Sequence, residues 1–84
     1  MILVVDDKKS KSDILDNQIL LTSIFDLNHA LADRDKYSVN STDPIEKIII
    51  SEELYLRINS LKLYGIEFPY LHDLTEKYNV EFIP

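Results

Sequence analysis

The chain of 84 residues contains no cysteine, and this restricts its folding options more than any other feature. A chain this short buries roughly 60–65% of the surface it exposes when unfolded. Small folds commonly add disulfides or metals as staples. Without thiols, disulfides, cysteine-based zinc sites and iron–sulfur clusters are all excluded. A packed apolar core must therefore supply the stability, supplemented by any self-association surface. The material for a core is present, because apolar residues make up 45% and charged residues 29%, a globular composition. The length is that of one domain, 1–84.

Hydrophobic patterning divides this domain into elements. Met1 to Val5 is a short apolar run and predicts a buried strand. Lys8 to Ser12 reads as a polar connector in which Ser10 or Ser12 caps the next element. The spacing of Leu20, Ile24, Leu27 and Leu31, with Ile14, Leu21, Phe25 and Ala32 beside them, predicts one long helix over 13–33. Asn17 and Asn28 interrupt its apolar arc, and Leu15 and Ile19 fall outside it. Asp33 to Pro44 is a polar break in which Tyr37-Ser38-Val39 suits a short edge strand.

Ile45 to Ile50 is rich in β-branched residues and predicts a second strand. Ser51 is a suitable N-cap for a helix whose buried face is Leu54, Ile58 and Leu61 and whose end lies near Tyr64. Gly65, the only glycine, stands where a left-handed residue is wanted. Pro69 opens a third helix with Leu71, Leu74 and Tyr78 on one face, and Val80 to Ile83 is a last strand. The expected fold class is α+β. A small sheet of three to four strands packs with one long and two shorter helices, in the order β-α-(β)-β-α-α-β.

Fifteen acids against nine bases give a formal charge of −6. The basic cluster Lys8, Lys9 and Lys11 is flanked by acids. This argues against direct contact with nucleic acid or an anionic membrane. The N-terminal run meets Asp6 and Asp7 with no basic segment and no long apolar stretch, so neither a leader nor a membrane span is expected, and a cytoplasmic setting fits best.

Met1-Ile-Leu-Val-Val-Asp-Asp7 resembles the first strand of the response-regulator receiver family. In that family an acidic pair after strand one helps to bind magnesium beside a phosphoacceptor aspartate on strand three. Asp6 and Asp7 match the pair, but the strand ending at Ile50 is followed by Ser51 in place of the aspartate. The resemblance implies a divalent-metal receiver-like module using Asp6 and Asp7. Apart from the resemblance, Asp33 or Asp35 is the candidate for a further oxygen donor to a cation at that pair. His29 and His72 lie on polar helix faces with no second histidine at ligand spacing. No nucleophile elbow, phosphate loop or zincin motif occurs. No enzyme activity, metal or cofactor is expected.

The reading these observations favour is a small acidic, non-enzymatic protein that binds a protein partner. Compact acidic chains of this composition are frequent in phages and mobile elements. In its concrete form the protein is an inhibitor that blocks a basic nucleic-acid-binding site on a host enzyme. Its carboxylates would stand in for phosphates. The candidate contacts are Asp33, Asp35, Asp43, Glu52 and Glu53, with Tyr55, Leu56 and Leu63 as apolar contacts off the buried helix face. The alternative is a structural or self-assembling protein, a homodimer or virion component, using Leu15, Ile19, Leu56 and Leu63.

Overall fold

The computed structural model describes residues 1–33 and 44–84. The expected edge strand at Tyr37 to Val39 lies outside the described residues. Four strands form one sheet: β1 (Ile2–Val5), β2 (Gln18–Leu21), β3 (Lys47–Ser51) and β4 (Val80–Ile83). All three pairings are parallel, and the strand order is β2-β1-β3-β4. Helix α1 (Ile24–Ala32) connects β2 to β3, while α2 (Glu52–Leu63) and α3 (Leu74–Lys77) connect β3 to β4. Two 3₁₀ turns, Lys11–Asp13 and Pro69–Leu71, complete the described elements. The α+β class and the small sheet agree with the sequence.

The long helix over 13–33 is not formed. Its first half contributes β2, and α1 begins only at Ile24. Ser23 is the true N-cap, its hydroxyl accepting the Asp26 N–H at 3.1 Å. The reason is the ambiguity of Ile19-Leu20-Leu21. A parallel strand flanked by apolar groups on both faces shows no alternation, so the same run also fits a helical stripe. In the sheet Leu20 turns away from α1, whereas Ile24 and Leu27 are buried beneath it. Asp13 and Ser10 instead close the first 3₁₀ turn. The Asp13 carboxylate accepts the Ser10 N–H at 2.8 Å and its hydroxyl at 3.1 Å. These bonds hold the Asp13 pKa below the ordinary aspartate value.

The third helix is also interrupted. Asp73 takes a left-handed φ of 56° between the Pro69–Leu71 turn and α3. Leu71 and Leu74 are nevertheless buried and Tyr78 half-buried, as the spacing requires. Gly65 has φ of +83° immediately after the Tyr64 C-cap of α2, the position where absence of a Cβ removes the steric penalty.

Strand side chains alternate between the two faces of the sheet. Leu3, Val5, Leu21, Ile48 and Ile50 form one continuous core with Ile24, Leu27 and Ala30 of α1, Leu54 of α2, Phe68, Leu71 and Leu74. Helices α1 and α2 thus share one face, as right-handed crossovers require for connections running from β2 to β3 and from β3 to β4. The opposite face carries Ile2, Leu20, Ile49 and Ile83, all half-buried, with Val4 buried at its centre. A right-handed connection from β1 to β2 would cover that face with a helix. Here that connection holds only the Lys11–Asp13 turn, which contributes no buried residue. Asn28, one of the residues that breaks the helical stripe, ties the layers together. Its Oδ1 accepts the Tyr70 N–H at 3.0 Å. Leu27 is fully buried under this layer. Leu27→Ala is expected to cost about 2–5 kcal/mol of unfolding free energy in urea titration, from lost transfer energy and the cavity left behind.

Candidate functional site

Helix α2 brings most of the sequence-derived contact residues together. Its inward stripe is Leu54, buried, with Ile58 and Leu61 half-buried. At 100° per residue the opposite side carries Glu52, Leu56 and Leu63. Leu56 is 56% exposed, Leu63 89% and the adjoining Tyr64 84%. An outward row of this kind is not needed to attach α2 to the sheet. Isolated exposed apolar residues are normal, but three large ones along one helix side and its end form a patch.

The acidic end of the patch is the first turn of α2. Glu53 Oε2 meets Lys8 Nζ at 3.4 Å, and Glu53 Oε1 meets Arg57 at 3.3 Å. Both pairs are exposed and contribute little to stability. Glu52 has no cation partner among the described residues, and its place in the first turn is favoured by the helix dipole.

Tyr55 stands on the flank of α2, half-buried, with its ring edge-on to Phe82 of β4 at 4.9 Å. It is therefore part packing residue and part lining of a surface groove. With Ile58, Asn59 and Lys62 it forms the α2 wall of a cavity of about 230 Å³, whose far wall is the segment from Ile66 to Glu76. The spacing 55, 58, 59, 62 is one continuous helical stripe, a signal present in the sequence. Buried Phe68, Leu71 and Leu74 lie at the groove, and Glu67, Asp73 and Glu76 line its rim without an ion pair among the described residues. Ile66, 39% exposed, lines this groove beyond the end of α2. Ile66 is not among the contact residues derived from the sequence.

Other candidate residues do not join this surface. Asp33 follows the last turn of α1. Both major helices run back across parallel strands, so the end of α1 lies at the amino ends of the strands and the start of α2 at their carboxyl ends. Asp33 is therefore separated from Glu52 and Glu53, and equally from Asp6 and Asp7 at the end of β1. Asp35 and Asp43 lie outside the described residues. Leu15 is exposed in the connection between β1 and β2, whereas Ile19 packs against the core.

The acidic pair suggested by the receiver resemblance separates into two environments. Asp6 is 6% exposed and its Oδ1 accepts the Lys8 N–H at 2.9 Å, while Asp7 is exposed. Among the described residues no group of three or more His, Asp or Glu side chains is placed to hold a metal ion. Among them, too, no helix is long and apolar enough to cross a membrane. No protein-family model, curated protein or solved structure matches the chain.

The two sides of α2 have different energetic roles. Leu54→Ala is expected to cost about 2–5 kcal/mol. Leu63→Ser should leave unfolding free energy within about 0.5 kcal/mol of the parent in the same denaturant titration. An equal loss at both positions would show that the outward row is packing surface.

Proposed function

We propose that the protein is a small, non-enzymatic binding protein that recognises a basic, partly apolar surface on a protein partner through the outward side of α2. The observation that carries this reading is the row Leu56, Leu63 and Tyr64, which the fold leaves in solvent next to the Glu52 carboxylate, uncompensated among the described residues. Apolar anchors beside charged groups are the composition of an interface core and its rim. The formal charge of −6 supports the same direction. It repels nucleic acid and steers the molecule toward cationic surfaces. A protein that itself binds nucleic acid presents such a surface. Carboxylates on α2 then occupy the places of phosphates, and binding competes with the nucleic acid. The inhibitor of a host nucleic-acid enzyme, of the sort that phages and mobile elements encode, is the specific form of this proposal.

Affinity capture with the tagged chain, washed at low and then high salt, tests it. The expected result is a nucleic-acid-binding protein retained at about 50 mM salt and released at about 500 mM, because screening weakens charge contacts. Leu63→Asp and Glu52→Lys should each weaken that capture by about tenfold or more, the scale of an interface hot spot. Retention that is indifferent to salt and to both substitutions would overturn the reading.

A further inference from the structure

The sheet has two outer strands, and the structure treats them differently. At β2, the Gln18 N–H donates to the Leu15 carbonyl at 3.0 Å, and the Leu15 N–H donates to Gln18 Oε1 at 2.9 Å. The preceding connection thus satisfies part of that edge. At β4 no such cover exists among the described residues. The pairing of β3 with β4 sets Ile48 opposite Val80 and Ile50 opposite Phe82, and the Ile48 N–H donates to the Asn79 carbonyl at 2.8 Å. In a ladder of this type alternate residues turn both main-chain groups to the same side. Asn79, Glu81 and Ile83 therefore face β3, and Val80 and Phe82 direct their N–H and C=O groups away from the sheet. Among the described residues these groups find no hydrogen-bond partner.

Proteins commonly protect such an edge with proline, lysine, a bulge or an inward charge. Within β4 the sequence is Val-Glu-Phe-Ile. Its one charge, Glu81, is already paired with Lys47 at 3.5 Å. Phe82 is 43% exposed although one side of its ring rests on Tyr55. The strand is therefore apolar, without uncompensated charge and, among the described residues, open along its outer side.

We infer that β4 pairs antiparallel with β4 of a second copy of this chain, joining two four-stranded sheets into one of eight strands across a twofold axis at Phe82. The edge is self-complementary in this arrangement. Phe82 faces its own copy as a hydrogen-bonded pair that exchanges two N–H···O bonds, and the Val80 N–H lies opposite the Pro84 carbonyl of the other chain. Glu81 falls opposite Ile83. A twofold axis at Glu81 also uses the outward groups, but it sets Glu81 against its copy, and directly opposed like charges destabilise a strand pair. The two Phe82 rings meet as a cross-strand aromatic pair. The contact is small, and each copy carries −6, so association is weak at low ionic strength and strengthens as salt screens the repulsion. This dependence is opposite to that of a complex with a basic partner, and the surface does not include α2's outward row.

Sedimentation of the full chain from about 10 µM to about 1 mM, at about 50 mM and about 500 mM salt, tests the inference, with amide exchange followed in the same samples. The expected result is a reversible monomer–dimer equilibrium whose dissociation constant falls by about threefold or more at high salt. The Phe82 amide should gain protection with concentration. Phe82→Pro removes an outward N–H without breaking a bond to β3 and should shift the equilibrium to monomer. Leu63→Asp should leave it unchanged. A monomer throughout, or a dimer in which the Phe82 amide exchanges as fast as in the monomer, would overturn the inference. The exchange readout stands even if Phe82→Pro does not fold.

Discussion

The structure depends on one packed layer, the contact between the Leu3, Val5, Ile48 and Ile50 face of the sheet and the helices laid across it. With no disulfide and no structural thiol site, this is where most of the apolar surface leaves water. Its consequences extend to both ends of the chain. The right-handed crossovers that place α1 and α2 over this face also place their first turns at the carboxyl ends of the strands. They set α2 with Leu54 inward, and the outward row Glu52, Leu56 and Leu63 follows from helical geometry alone. The short return from α2 through Phe68, Leu71 and Leu74 completes the layer and delivers the chain to β4.

The same layer explains what the fold leaves open. A parallel sheet is normally covered on both faces. Here the connection between β1 and β2 is a 3₁₀ turn without buried residues, and the opposite face retains half-buried isoleucines. Among the described residues the helices lie over one face, and none covers the outer side of β4. Apolar contact is then available in two directions, outward from α2 and sideways from β4. The first adjoins exposed carboxylates and suits a basic partner. The second carries no net charge and suits a second copy.

Much of this arrangement was legible in the sequence. The strands at Met1 to Val5, Ile45 to Ile50 and Val80 to Ile83 correspond to β1, β3 and β4, within a residue or two at their ends. The α2 stripe, the Gly65 stop and the burial of Leu71 and Leu74 followed from spacing. The segment from Ile14 to Leu21 was misread because an apolar run without alternation satisfies both a buried strand and a helix stripe. The decisive local signal is Ser23 after the run. Ser23 carries the side-chain cap that starts α1, whereas Ser51 caps α2 by position and without a side-chain hydrogen bond. The separation of Asp33 from Glu52 depends on strand direction, which residue type and spacing do not encode. The groove beside Tyr55 depends on where the Ile66 to Glu76 segment returns. That is a tertiary property, although the α2 wall of the groove was visible as a helical stripe.

The central claim is that Gln18–Leu21 is a strand of a parallel sheet, since the strand order and the place of α1 as a β2-to-β3 crossover on the face shared with α2 follow from it. Backbone NMR of the full chain tests this most directly. The account predicts extended carbon shifts over 18–21 and inter-strand contacts pairing Val4 with Leu20, with helical shifts beginning only at Ile24. Continuous helical shifts and sequential helical contacts from Ile14 through Ala32 would contradict it.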